Sequence, residues 1–188
     1  MKKMYFISNR FKGVNLVLLY LIFCSVSGFM NISCQQNQME GCMSFKNDFD
    51  NYGNWGFSHL SLVKGEGHSG DYYCKTDSLN RYGMGLNLTL KDFEKCKPTR
   101  MVVSGWVKCM KLDNGSALVA TFDSESTSLS WNGIDLSKDV KEVDVWTFVT
   151  AEYPFPKNLP AETDFKFFLW NNGTDPVFVD DMSLVFIQ

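Results

Sequence analysis

Two adjacent carboxylates, Asp180 and Asp181, interrupt the apolar run Pro176-Val177-Phe178-Val179-Asp180-Asp181-Met182-Ser183-Leu184-Val185-Phe186-Ile187. A strand that apolar is buried on at least one face. A carboxylate close to a core needs a cation or a set of hydrogen-bond donors. Two readings follow. In one, the pair sits on a surface bulge with both acids solvated. In the other, one acid binds a structural Ca²⁺ and its neighbour points to solvent, because successive strand side chains alternate faces. The strand alone does not choose between them.

Other chemistry is sparse. Only two histidines occur, His59 in an alternating segment and His68 in a glycine-rich turn. Neither the G-x-S-x-G nucleophile motif nor the H-E-x-x-H zinc motif is present. Paired carboxylates can hydrolyse glycosides, but no spacing here selects a pair. The six cysteines include no C-x-x-C pair, which argues against a zinc knuckle. Cys42, Cys74, Cys96 and Cys109 allow three disulfide pairings. Cys74 and Cys109 lie in strand-like runs, where a free buried cysteine is a common core residue, so no obligatory disulfide is expected.

The elements that must position these groups read as strands. The clearest period of two runs through Tyr82, Met84, Leu86, Leu88 and Leu90, which alternate with Gly83, Gly85, Asn87 and Thr89. Further strand-like segments lie at 42–50, 57–63, 71–77, 101–110, 116–123, 128–133, 145–153 and 165–170, with the carboxylate-bearing segment last. Asp113-Asn114-Gly115 predicts a hairpin between two of them. Asp92 to Cys96 predicts a short helical turn stopped by Pro98. Nine or ten strands at short spacing, with almost no helix, predict an antiparallel β-sandwich. Its first and last strands are expected to pair, as in a jelly roll.

The N-terminus reads as an export leader. A basic stretch precedes the apolar segment Val14 to Phe23, which has signal-peptide length and is short for a membrane span. Val26-Ser27-Gly28 offers an ordinary cleavage site. Asn31-Ile32-Ser33-Cys34 offers a cysteine for lipid attachment, and the polar Gln35-Gln36-Asn37-Gln38 resembles a tether after it. We take the lipoprotein reading, with a leader over 1–33, a tether over 34–41 and one domain over 42–188. The leader holds four of the 18 Lys and Arg and none of the 21 Asp and Glu, so the remainder carries 14 against 21, net −7. That balance argues against a nucleic-acid partner and against an anionic membrane surface. The expected membrane contact is the lipid on Cys34.

Four pieces in order resemble the jelly-roll carbohydrate-binding modules: Asn47-Asp48-Phe49-Asp50, His68-Ser69-Gly70-Asp71-Tyr72-Tyr73, Val103-Ser104-Gly105-Trp106-Val107-Lys108 and Val177-Phe178-Val179-Asp180-Asp181-Met182. The chain is also similar to uncharacterised sandwich domains of Bacteroidetes lipoproteins. The resemblance covers roughly 42–188 and implies a galactose-binding-domain-like jelly roll. It implies a structural Ca²⁺ held by Asp50 and Asp180, with backbone carbonyls near Asp48 and Asp71 completing the shell. Asp50 stands where Glu is usual, one methylene shorter.

In such a module aromatic faces stack on the C–H groups of a sugar ring, and nearby polar groups meet its hydroxyls. Tyr52, Trp55, Tyr82, Trp131 and Trp170 are the candidate platforms. Trp55 and Trp131 lie in loop-like contexts beside Asn54 and Asn132, and Asn132 is a candidate polar partner. Trp106 and Trp146 read as mid-strand core residues. The expected function is non-catalytic glycan binding in an exported protein. The alternative is a structural or protein-interaction subunit at the cell envelope with no sugar site.

Overall fold

The structure is a computed structural model that describes residues 41–51, 55, 56, 59–125 and 127–188. Among the described residues, ten strands form two antiparallel sheets. They are β1 (Met43–Asn47), β2 (Leu62–Lys64), β3 (Tyr72–Thr76), β4 (Tyr82–Thr89), β5 (Arg100–Cys109), β6 (Ser116–Ser124), β7 (Thr127–Asp135), β8 (Thr147–Pro154), β9 (Asp164–Asn171) and β10 (Val177–Ile187). The six-stranded sheet has the order β2-β3-β10-β5-β8, and β1 also pairs with β10. The four-stranded sheet has the order β4-β9-β6-β7. First and last strands pair antiparallel as expected, from Met43 opposite Phe186 to Asn47 opposite Met182.

Alternation sets the core. On β9, Phe165, Phe167, Leu169 and Asn171 are buried, while Lys166, Phe168 and Trp170 face outward. The inner faces meet through aromatic rings. Phe93 packs edge-on against Phe165 at 5.9 Å and Phe186 at 4.9 Å. Tyr153 on β8 reaches across the sandwich and donates its hydroxyl to the Leu118 carbonyl at 2.8 Å. Burial holds that phenol well above its usual range.

Three local expectations are corrected. The Asp113-Asn114-Gly115 turn makes no hairpin, because β5 pairs with β8 and β10 whereas β6 pairs with β7 and β9. The turn carries the chain from one sheet to the other, with Asp113 and Gly115 both at positive φ and the Asn114 side chain accepting from the Ser116 N–H at 3.0 Å. In the segment expected as a second strand, His59–Ser61 is a 3₁₀ turn and only Leu62–Lys64 is strand. Cys42 and Cys96 form a disulfide that ties the chain before β1 to the turn after β4. Cys74 and Cys109 are free and buried, as expected, and burial pushes both thiols up to about 11, so they pack as small apolar groups. In addition, β10 carries a bulge. The register shifts between Asp180 and Ser183, and Asp181 sits at φ 48°. The inserted residue changes the phase of the strand: Val177 and Val179 are buried before it, and Met182, Leu184 and Phe186 after it.

Candidate functional site

The outer face of the four-stranded sheet holds a cleft of about 500 Å³ lined by Tyr82, Gly83, Thr121, Asp123, Trp131, Lys166, Phe168 and Trp170. Strand register explains its shape. Trp170 lies opposite Tyr82 on one side and Ala117 on the other. Phe168 lies opposite Gly85 and Val119, and Val119 in turn lies opposite Gly133. Small residues in these central positions leave a trough between aromatic walls. Directly opposed residues share a face, so these side chains all project outward.

The walls are Trp131 and Trp170, whose rings are perpendicular with centroids 6.2 Å apart, and Tyr82 and Phe168, at 5.8 Å and 60°. Trp131 is 54% exposed and Tyr82 56%, so their faces are open to a ligand. The Trp131 ring lies over Gly133, where an added Cβ would collide with it. At the other end the cleft is polar. Lys166 Nζ lies 3.1 Å from Asp123 Oδ2, and the Thr121 hydroxyl donates to the same oxygen at 3.0 Å. Burial alone would raise the Asp123 carboxyl. Hydrogen bonds from Lys166, Ser128 and Thr121, with the lysine charge, outweigh it and hold Asp123 below the usual carboxylate range.

This cleft gathers three of the expected platforms, Tyr82, Trp131 and Trp170. Trp55 is not among them. It is 5% exposed and packs edge-on between Phe49, at 6.5 Å, and Phe167, at 6.2 Å, inside the core. Asn132 is also elsewhere. Residues Thr127–Asp135 form one continuous strand, so Asn132 alternates away from Trp131, and its amide donates to Ser130 Oγ at 3.1 Å. Tyr52 lies outside the described residues, as does Cys34. Sequence reasoning misses Thr121, Asp123, Lys166 and Phe168. Alternation along β9 was the available signal, since it puts Lys166 and Phe168 on the face of Trp170.

Trp106 and Trp146 are not core residues either. Trp106 faces outward from the six-stranded sheet opposite Asp180, and the His68 ring stacks on it at 3.9 Å and 13°. Trp146 precedes β8 and meets His68 and Tyr73 edge-on at 6.2 and 6.4 Å. Lys108 Nζ lies 5.2 Å from the Trp146 centroid and 5.1 Å from that of Phe178.

The carboxylate pair holds the turn between β2 and β3. Asp180 is fully buried beneath this turn on the outer side of the sheet. Its Oδ2 accepts the His68 N–H at 2.8 Å and the Ser69 N–H at 3.1 Å, and its Oδ1 accepts the Asp181 N–H at 2.8 Å. Burial, partly offset by these bonds, raises its carboxyl above the usual range. Asp181 is partly exposed and binds His68 Nδ1 and the Ser69 hydroxyl, both at 2.7 Å. Alternation would send the two acids to opposite faces; the bulge instead turns both toward the same His68-Ser69 turn, Asp180 buried and Asp181 partly exposed.

The Ca²⁺ ligands implied by the resemblance make other contacts. Asp50 Oδ1 accepts the Asp71 N–H at 3.0 Å. The Asp71 carbonyl accepts the Gly65 N–H at 2.8 Å. Asp48 Oδ1 accepts the Asn51 N–H at 2.9 Å. Among the described residues, no three His, Cys, Asp or Glu are grouped to hold a metal. A Ca²⁺ shell needs converging oxygens, whereas these oxygens converge on N–H donors. These N–H bonds close the turn around the residues that the resemblance implies for Ca²⁺.

No protein-family model matches the chain, and no curated protein matches it. Solved structures do. The C-terminal family 22 carbohydrate-binding module of a Clostridium thermocellum protein is similar at a TM-score of 0.53 and 14% identity, over 76% of this chain and 91% of that one. A tandem of two family 22 modules from Paenibacillus barcinonensis is similar at a TM-score of 0.51 and 17% identity, over 80% of this chain and 51% of the tandem. At such identities the likeness is one of fold, and the fold is the jelly-roll β-sandwich of carbohydrate-binding modules.

Proposed function

We propose that the protein is an exported, non-catalytic glycan-binding module whose ligand lies in the cleft of the four-stranded sheet. The observation that carries this reading is the exposed Trp131 ring standing at a right angle to Trp170, 6.2 Å away, with the Asp123–Lys166 pair in the same cleft. A sugar ring can stack its C–H face on one tryptophan and rest its edge on the other, while its hydroxyls meet the ion pair. The cleft of the Clostridium thermocellum module has a role in ligand binding, which supports, by analogy of fold alone, a cleft as the place of binding.

Export rests on the leader, with Cys34 as the proposed lipid anchor. The Cys42–Cys96 disulfide supports an oxidising compartment. No helix among the described residues is long and apolar enough to cross a membrane. Replacing Cys34 by Ala should release the protein from membranes into the soluble fraction. Ca²⁺ forms no part of the proposal.

A glycan array with the purified protein tests the main reading. Retention of at least one glycan, lost in Trp131→Ala, is the expected result; no retained glycan would overturn it. A structural or protein-interaction role at the envelope draws on a different observation. Phe148 is 50% exposed and meets Trp106 edge-on at 5.5 Å, and Val145 beside Trp146 is 44% exposed. This apolar surface on the other sheet would come forward if the array were blank.

A further inference from the structure

The glycan reading leaves open which chains the cleft accepts, and its polar end bears on that. Among the residues lining the cleft, Lys166 is the cation and Asp123 the acid, and they neutralise one another at 3.1 Å. Lys166 keeps N–H groups free of that contact, since an ammonium has three. Asp123 accepts but cannot donate while ionised. Neighbouring hydroxyls on one sugar satisfy both groups at once, one donating to Asp123 and the next accepting from Lys166.

A carboxylate or sulfate on the sugar has no such fit. It accepts only, so it competes with Asp123 for Lys166 and meets a like charge. The face around the cleft adds to this. Asp164 lies opposite Asp123 in register, with its side chain alternating outward beside Lys166. Asp135 lies opposite Ala117, on the face of Trp170. Acids therefore outnumber the one lysine around the trough.

Resting on the glycan reading, we infer that the cleft takes uncharged glycan chains and turns away chains bearing uronates or sulfates, with Asp123 as the specificity-determining residue. Affinity electrophoresis of the purified protein tests this against neutral probes (uronate-free xylan, β-1,4-galactan, mixed-linkage glucan) and acidic ones (polygalacturonate, alginate, carrageenan). The native protein should be retarded by at least one neutral chain and by no acidic chain. Asp123→Asn leaves Lys166 unpaired. It should weaken neutral binding at least tenfold and admit an acidic chain in a salt-sensitive way. Lys166→Met should also weaken neutral binding but admit no acidic chain, and both variants should keep the native melting temperature within a few degrees.

Acidic chains bound as tightly as neutral ones by the native protein would overturn the inference while leaving glycan binding intact. So would an Asp123→Asn variant, folded by its melting curve, with unchanged preferences. Retention of no chain of either kind would overturn the glycan reading and this inference together.

Discussion

The indole of Trp131 stands perpendicular to that of Trp170, with ring centroids 6.2 Å apart, across a strand that presents only Ala117, Val119 and Thr121 between them. The corner is made by what is missing beneath it. Gly133 has no Cβ, and the Trp131 ring occupies the space one would fill. The first prediction follows. Trp131→Ala and Trp170→Ala should each weaken glycan binding at least tenfold, about 1.4 kcal/mol. Gly133→Ala should weaken binding too while keeping both rings, because the Trp131 ring must move. Calorimetry on the retained glycan measures all three. Full affinity in Gly133→Ala would separate the ring's position from its role.

Trp55 makes the opposite case. Its ring is enclosed by Phe49 and Phe167, so Trp55→Ala should cost ~3–5 kcal/mol of stability, as truncation of a core aromatic does. Trp131→Ala, at an exposed ring, should cost little. Urea melts of the two variants make the comparison. Equal stabilities would remove Trp55 from the core.

The contrast between these tryptophans shows what the sequence makes legible. Period-two alternation marks β4 plainly; β9 is apolar through Phe167-Phe168-Leu169-Trp170, and only with Phe165 and Phe167 placed inside do Lys166, Phe168 and Trp170 lie together outside. Three of the eight lining residues therefore lie on one strand. Trp131 reads as exposed, and is. Trp55 reads the same way from its Gly-Asn surroundings, yet it is buried by Phe167, more than a hundred residues away, and no local pattern carries that contact. Asp113-Asn114-Gly115 announces a reversal but not which sheet receives the chain. The acid pair is legible only as carboxylates that need a partner; the His68 and Ser69 groups that both of them hold come from a distant turn and are not.

That turn yields a prediction about divalent ions. Asp180 holds the N–H groups of His68 and Ser69, and Asp50 that of Asp71. The turn is thus closed without an ion, and a chelator should leave the melting temperature unchanged. A bound Ca²⁺ at a hundredfold excess over its Kd would add about 2.7 kcal/mol, a shift of several degrees for a domain of this size. A melting temperature that falls in chelator and recovers with Ca²⁺, but not in Asp50→Ala, would install the ion that the resemblance implies.

Asp180 also makes stability depend on pH in an uncommon direction. Asp77, Asp123 and Asp135, each held by donors, are pulled below their usual range. Asp180 is raised, chiefly by burial and further by the Asp181 charge, against the pull of its three N–H donors. The folded state therefore holds its proton more tightly than the unfolded chain does. Between the unfolded value, about 3.9, and the raised folded value, the native state binds more protons, so Asp180's contribution falls as pH rises. It is most favourable below that window and is lost above it. Asp180→Asn removes the titration. It keeps an oxygen for His68 and Ser69 but sets its amide against the Asp181 N–H, so it has its own constant cost. The difference in unfolding free energy, native minus variant, should therefore decline from about pH 4 upward and then level off. Taking the difference cancels the carboxylates remote from Asp180, which titrate in both proteins. Denaturant melts at half-unit steps of pH measure it. A difference that rises with pH would mean that the N–H donors outweigh burial, and that Asp180 is stabilised as the anion.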